Sequence, residues 1–140
     1  MIIIRRIDTS KPVNAALLNW LQLEIMPADD PADIAVGYWW VAFEDGDAIG
    51  FCAMKHSQKW SDTIYLHRAG VLPKHRGKGL QRKLIRVRVR QAIKFGMTWL
   101  VSDTYHNPAS ANSLIRCGFT MYVPTYQYGA KGTLYWRKKL

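Results

Sequence analysis

Acidic side chains are scarce in this chain: 10 Asp and Glu stand against 20 Lys and Arg, for a formal net charge of +10 at pH 7 and a pI near 9.9. A surface of that sign draws anions and repels polyamines and other polycations at low salt. Cysteine is scarce as well. Cys52 and Cys117 are too far apart for a CxxC pair and too few for a disulfide framework, so both are expected reduced, in or near the core. The histidines, His56, His67, His75 and His106, show no paired ligand spacing such as HExxH, and no metal site is expected. Nowhere do about 18 apolar residues run together, which excludes a helix able to span a bilayer. The opening MIII meets Arg5 and Arg6 at once, too short an apolar run, in the wrong order, for a secretory signal. The expectation is a cytoplasmic protein without a membrane association. Repeats, low-complexity tracts and linkers are also missing, so 1–140 is expected to be one domain.

What is there reads as alternating strands and helices. IIIRRI at 2–7 is a first strand. A helix follows, with Ser10 as its expected cap, Pro12 just inside it, and Leu17, Leu18, Leu21 and Ile25 at helical spacing. Pro27, Asp29, Asp30 and Pro31 end it in a loop expected to hold a short helical turn. GYWWVAFE and AIGFCAMKH are two strands joined by EDGD, where Asp-Gly supplies the positive φ of a tight hairpin. TIYLHRAGVL at 63–72 is a fourth strand, stopped by Pro73.

Between His75 and Arg90 the sequence HRGKGLQRKLIRVRVR holds seven Lys and Arg and two glycines. From Leu80 to Phe95 no turn residue interrupts it, and Gly96 stands where a C-terminal cap belongs. Leu80, Leu84, Ile85, Val89, Ala92 and Ile93 share a helical arc, which favours helix over strand. Arg82, Arg86, Arg90 and Lys94 then recur every four residues as one basic stripe. TWLVSDTY is a fifth strand, Asn107-Pro108 opens a helix through Arg116, and FTMYV and TLYWRKK form a terminal hairpin.

A strand ending at Leu72, a loop with Gly77 and Gly79, and a long helix together make an anion site: glycines let the backbone approach, and free amides at the helix start face the ligand. The spacing is neither a Walker loop nor GxGxxG, because Arg82 stands where the third glycine would be.

VLPKHRGKGLQRKLI resembles the acetyl-CoA signature of the GNAT superfamily of N-acetyltransferases, [Q/R]xxGx[G/A], with Arg76, Gly77, Lys78, Gly79 and Leu80 on its first five positions. NPASANSLIRCGF is similar to the family's NxxAxxLYxxxGF helix, with Asn107, Ser110, Gly118 and Phe119 in place. The element order agrees over 1–140. The resemblance implies an α/β (α+β) GNAT fold: a central mixed, mostly antiparallel, splayed sheet of about seven strands flanked by about four helices. It implies acetyl-CoA (CoA) as cofactor, with the backbone near Val71 and Leu72 pairing with the pantetheine. The amides from Gly77 through Lys78, Gly79, Leu80 and Gln81 to Arg82 would cradle the pyrophosphate, and Asn107 and Ser110 would contact the cofactor. It further implies direct attack of an amine on the thioester, with a backbone amide of the splayed fourth strand polarising the carbonyl.

Three positions depart from the pattern. Gln81 replaces the last small residue of the loop motif, so its side chain has to turn away from the pyrophosphate. Tyr65 replaces the strand-four glutamate, and Leu114 the helix tyrosine that protonates the thiolate. His67, two residues beyond Tyr65 on the same strand face, is the replacement base, its ordinary pKa of roughly 6.5 suiting the task. Tyr105 is the candidate acid beside Tyr65. The outward-facing member of the Trp39 and Trp40 pair, with Tyr122, Tyr126 and Tyr128, is a candidate cleft lining.

Acceptors left open are a small-molecule, peptide or RNA-linked amine, the last as in toxin-type members acting on aminoacyl-tRNA. Two rival classes remain: a nucleic-acid-binding module using Arg82, Arg86 and Arg90 on phosphates, and a degenerate fold that binds CoA without turnover. The fold also leaves a homodimer through terminal strands open.

Overall fold

The computed structural model describes residues 1–140. One sheet of seven strands runs through it: β1 (Ile2–Ile7), β2 (Tyr38–Glu44), β3 (Asp47–His56), β4 (Thr63–Val71), β5 (Trp99–Thr104), β6 (Thr120–Tyr122) and β7 (Leu134–Lys139). Their spatial order is β1-β2-β3-β4-β5-β7-β6, and every neighbouring pair is antiparallel except β4 and β5. Three helices accompany the sheet: α1 (Pro12–Ile25), α2 (Leu80–Lys94) and α3 (Pro108–Arg116). This is the expected mixed, mostly antiparallel architecture.

The local chemistry explains the elements. Asp45 and Gly46 both hold positive φ, 50° and 88°, which closes the β2–β3 hairpin with the twist its strands need. Gly96, at φ 74°, ends α2 where no side-chain-bearing residue would sit without strain. Ser10 does not cap α1. Its amide and hydroxyl both bond Asp8 Oδ1, at 3.0 and 2.6 Å, and Lys11 takes the cap position with no side-chain bond. Asp8 wins because its carboxylate accepts both donors of one residue. Its pKa is lowered, first by the Ser10 hydroxyl bond and then by the Ser10 amide. The loop after α1 holds turns but no helix. The fourth helical element is a 3-10 turn at Pro73–His75, which leads β4 into the glycine loop.

Two apolar layers cover the sheet. On one face Trp39, Val41, Phe51 and Ala53 pack on Leu18 and Leu21 of α1. On the other, Trp40, Cys52, Met54, Ile64 and Leu66 pack on Leu80, Leu84, Ile85 and Ala92 of α2. Adjacent Trp39 and Trp40 therefore point to opposite faces as a strand requires, yet both are buried, because both faces carry a helix. Neither opens onto a cleft. Ile93, placed by its spacing on the buried arc of α2, is 57% exposed, and Arg88, at 3%, occupies that arc between Leu84 and Ala92. No helix is long and apolar enough to cross a membrane.

Candidate active site

The parallel pair β4 and β5 stays together for only three steps, Thr63 with Trp99, Ile64 with Leu100 and Tyr65 with Val101. Beyond Tyr65 the two strands part. On its other edge β4 pairs Tyr65 with Lys55 and Arg68 with Ala53, so Leu66 and His67 together face the single residue Met54. That extra residue is a bulge, and a bulge bends and twists its strand. A cleft of about 360 Å³ fills the gap, walled by Leu66, His67 and Ala69 on β4 and by Ser102, Asp103 and Thr104 on β5. Ser102 Oγ donates to the Leu66 carbonyl at 3.0 Å, which satisfies one group the split strands leave behind.

Backbone alternation decides what else faces the gap. The Leu72 amide bonds Ile49 O at 2.9 Å on β3, so the amides two and four residues earlier point the same way, and those of Ala69 and Val71 point into the cleft. The Val71 carbonyl shares that side and accepts from Arg76 Nε at 3.0 Å. Of the two residues expected to meet the pantetheine, Val71 presents its amide, while Leu72 has spent its amide on the sheet.

The glycine loop is built for an anion. Gly77 and Gly79 hold φ of 82° and 74°, a region side chains other than glycine enter at a cost. Gly79 caps α2 with no side chain over the helix end and no acid in the first turn. The first turn's amides from Leu80 to Arg82 thus lack helix acceptors and face outward with the positive end of the dipole. A hollow of about 610 Å³ opens there, lined by Arg76, Gly77, Gly79, Gln81 and Arg82. It shares Ala69, Gln81, Asn107 and Ser110 with the β4–β5 cleft, so the two form one continuous trough. Such a trough, basic and amide-lined at one end and strand-lined at the other, fits a long phosphorylated cofactor.

Side chains of the motif divide their duties. Lys78 turns off the trough, its Nζ 3.4 Å from Glu44 Oε1, with His75 Nδ1 3.5 Å from the same oxygen. Lys78 can therefore offer only its backbone. Gln81 lies toward α3, its Nε2 donating to Ser110 Oγ at 2.7 Å, and Asn107 caps α3 by accepting the Ser110 amide at 3.1 Å. Ser110 keeps its hydroxyl proton free to donate.

The titratable groups cluster at the split. Tyr65 and His67 lie side by side with ring centroids 6.1 Å apart, and Trp39 meets His67 edge-on at 5.7 Å. Burial, with the charges of Lys55, Arg88 and Arg68, pulls the His67 pKa down to about 4, well below the ordinary value, and its Nδ1 is buried without a partner. Tyr65 OH donates to Asp103 Oδ2 at 2.6 Å and Tyr128 OH to the same oxygen at 2.5 Å. Burial and that carboxylate push both phenols above their usual range. Tyr105, at the end of β5, is half-exposed with its ring 4.2 Å from that of His106, and lines the cleft. Tyr122, Tyr126 and Tyr128 join Lys55, Trp60 and Tyr65 around a second hollow of about 300 Å³.

Asp103 was not legible as a site residue. Its only sequence signal is a lone carboxylate near the end of a strand, which the split between β4 and β5 turns into a shared acceptor. Arg88 did carry a signal, since it falls four residues from both Leu84 and Ala92. Of the basic stripe, Arg86, Arg90 and Lys94 are exposed and line none of these hollows, while Arg82 lines the trough.

Comparison with known proteins agrees with this fold. An IAA acetyltransferase from Bacillus cereus superposes with a TM-score of 0.78 at 21% identity, over 100% of both chains. A Bacillus subtilis acetyltransferase in complex with CoA gives 0.79 at 15% identity, over 100% of this chain and 99% of that one. The yncA protein of Salmonella typhimurium, solved with its cofactor acetyl-CoA, gives 0.75 at 20% identity, over 99% and 94%. Among curated proteins no sequence matches. The model of the acetyltransferase (GNAT) family matches residues 10–119, which takes in α1, the bulged β4, the glycine loop and the Asn107 helix, and the chain belongs to that family.

Proposed function

We propose that this chain, as one domain over 1–140, transfers an acetyl group from acetyl-CoA to a primary amine by direct attack within a ternary complex. The observation that carries this reading is the continuous trough from the free amides of α2 to the split between β4 and β5. The amides from Gly77 to Arg82 hold the pyrophosphate, the Val71 amide meets the pantetheine, and the Ala69 amide polarises the thioester carbonyl. The amine enters from the Tyr65, Asp103 and Tyr105 end, where the Asp103 carboxylate lines the cleft.

In the reaction a C–N bond forms, the C–S bond breaks, and one proton leaves nitrogen while one joins the departing thiolate. His67, with a pKa near 4, is too weak a base to deprotonate a free ammonium efficiently. It suits a later step, since the ammonium of the tetrahedral adduct is far more acidic than the free one. Tyr105, exposed at the cleft, is in this reading the acid that returns the proton to sulfur. Tyr65 stays protonated and holds Asp103. Positioning of two substrates supplies much of the rate.

Calorimetry with acetyl-CoA is the first test: saturable binding is expected, and no binding at millimolar acetyl-CoA overturns the reading. Thiol release in the presence of small amines, N-terminal peptides and aminoacyl-tRNA then sorts the acceptors.

A second reading narrows the acceptor to an RNA-linked amine. It is favoured by the hollow where Lys55 and Trp60 stand among Tyr122, Tyr126 and Tyr128, which offers cations and stacking faces together. The two free cysteines suit a reducing, cytoplasmic setting for either reading.

A further inference from the structure

Arg88 is the one arginine of α2 turned into the protein. It is 3% exposed and has no carboxylate within ion-pair distance; its Nε donates to Leu84 O at 3.0 Å and its Nη1 to Ala53 O at 3.1 Å and Arg68 O at 3.4 Å. Burying a guanidinium without an ion pair costs several kcal/mol by general estimates, and an apolar side chain of the same volume would pack there at less cost. The carbonyls it chooses are informative. Ala53 and Arg68 are the first pair that closes β3 onto β4 after the bulge.

A trans peptide points its C=O and N–H in opposite directions. The Arg68 carbonyl and the Ala69 amide belong to one peptide. With that carbonyl held toward Arg88 on the β3 side, the Ala69 amide is driven to the other side, where β5 has parted from β4 and the cleft lies. We infer that Arg88 is a positioning residue for acyl transfer: it locks the Arg68–Ala69 peptide beside the β4 bulge and so aims the Ala69 amide at the thioester carbonyl. This rests on the acetyl-transfer reading above.

Arg88 lies in the floor of the cleft but is almost wholly buried, and its Nε and Nη1 are spent on backbone carbonyls, so its role is strength of polarisation rather than affinity. Its positive charge, unneutralised and close to the cleft, adds to the field that favours a developing oxyanion. A bulged strand has a loosened ladder at the extra residue. A two-carbonyl clamp from beneath the sheet removes that freedom where catalysis needs one orientation.

The test uses acetyl-CoA labelled with carbon-13 at the acetyl carbonyl, and the infrared stretch of that carbonyl on the intact protein. In the wild type the bound band is expected below its position in free acetyl-CoA. Arg88→Met is expected to bind acetyl-CoA within about threefold of wild type while losing at least half of that displacement. Arg88→Lys, which keeps a cationic donor, is expected to recover part of it. A full displacement in Arg88→Met overturns the inference and leaves the acetyl-transfer reading standing. Wild-type protein that binds no acetyl-CoA overturns both. If Arg88→Met does not fold, the proton resonance of the Ala69 amide in the wild type decides. A downfield movement on adding acetyl-CoA is expected, and an unmoved Ala69 signal overturns the inference.

Discussion

Tyr65 reaches from β4 to β5 and donates its hydroxyl to Asp103 Oδ2 at 2.6 Å, just past the last paired step of the two strands. Tyr128 from the loop before β7 closes on the same oxygen. Hydrogen bonds to a carboxylate are worth about 1.5–3 kcal/mol, less where water competes. Tyr65→Phe is therefore expected to lower stability by about 1–2 kcal/mol. A double-mutant cycle with Asp103→Asn should show a coupling of about 1 kcal/mol, read from urea unfolding. A coupling near zero would separate the two residues energetically.

His67 makes stability depend on pH. Its folded pKa, about 4, lies below its unfolded value of about 6.5, so between those values the unfolded chain binds more protons. Stability is fully present above pH 6.5 and falls as pH drops toward 4, by on the order of 2–3 kcal/mol for this partly buried ring. His67→Gln should flatten the slope of unfolding free energy between pH 4 and pH 6.5 set by that one group. In rate measurements the His67 limb is expected near pH 4 rather than near neutrality, so a His67-dependent limb at neutral pH would contradict the buried geometry.

The two loop glycines should respond differently. A Cβ at Gly77 meets nothing within 4 Å, so Gly77→Ala bears only the cost of positive φ, about 1 kcal/mol. At Gly79 a Cβ lies 3.2 Å from an Arg82 terminal nitrogen, and Arg82 lines the trough. Gly79→Ala is expected to weaken acetyl-CoA binding more than Gly77→Ala, and Gly79→Trp to abolish it by calorimetry. Equal affinities for the two alanine variants would take Arg82 out of the cofactor site.

Arg86 and Arg90 are exposed and line neither part of the trough. Arg86→Glu is expected to leave acetyl-CoA affinity within about twofold, since exposed charges at this distance are screened at physiological salt. Its RNA affinity should fall, and the slope of log affinity against log salt should shrink by about one. RNA affinity that ignores the substitution would remove the exposed stripe from function.

Most elements were legible because their signals are local. The Asp-Gly of the β2–β3 turn, the glycines around α2 and the 2.0 and 3.6 periods of strands and helices act over a few residues. The cap expected at Ser10 falls instead at Lys11, because Asp8 engages the amide and hydroxyl of Ser10 itself, a choice that side-chain geometry settles. Trp39 and Trp40 alternate as a strand demands, but no local pattern tells that helices cover both faces. His67 was legible as a residue and not as a base, since its pKa depends first on its burial and then on the charges of Lys55, Arg88 and Arg68, gathered from three elements.

By itself the sequence determined the glycine loop, the helix it opens and the order of the strands, because φ preferences, missing caps and hydrophobic periods belong to neighbouring residues. Only the tertiary structure decided that β4 bulges and parts from β5, that Asp103 receives two tyrosines, and that one arginine in a basic helix turns inward to hold the Arg68 carbonyl. Those outcomes depend on register between strands far apart in the chain and on which charges burial brings together.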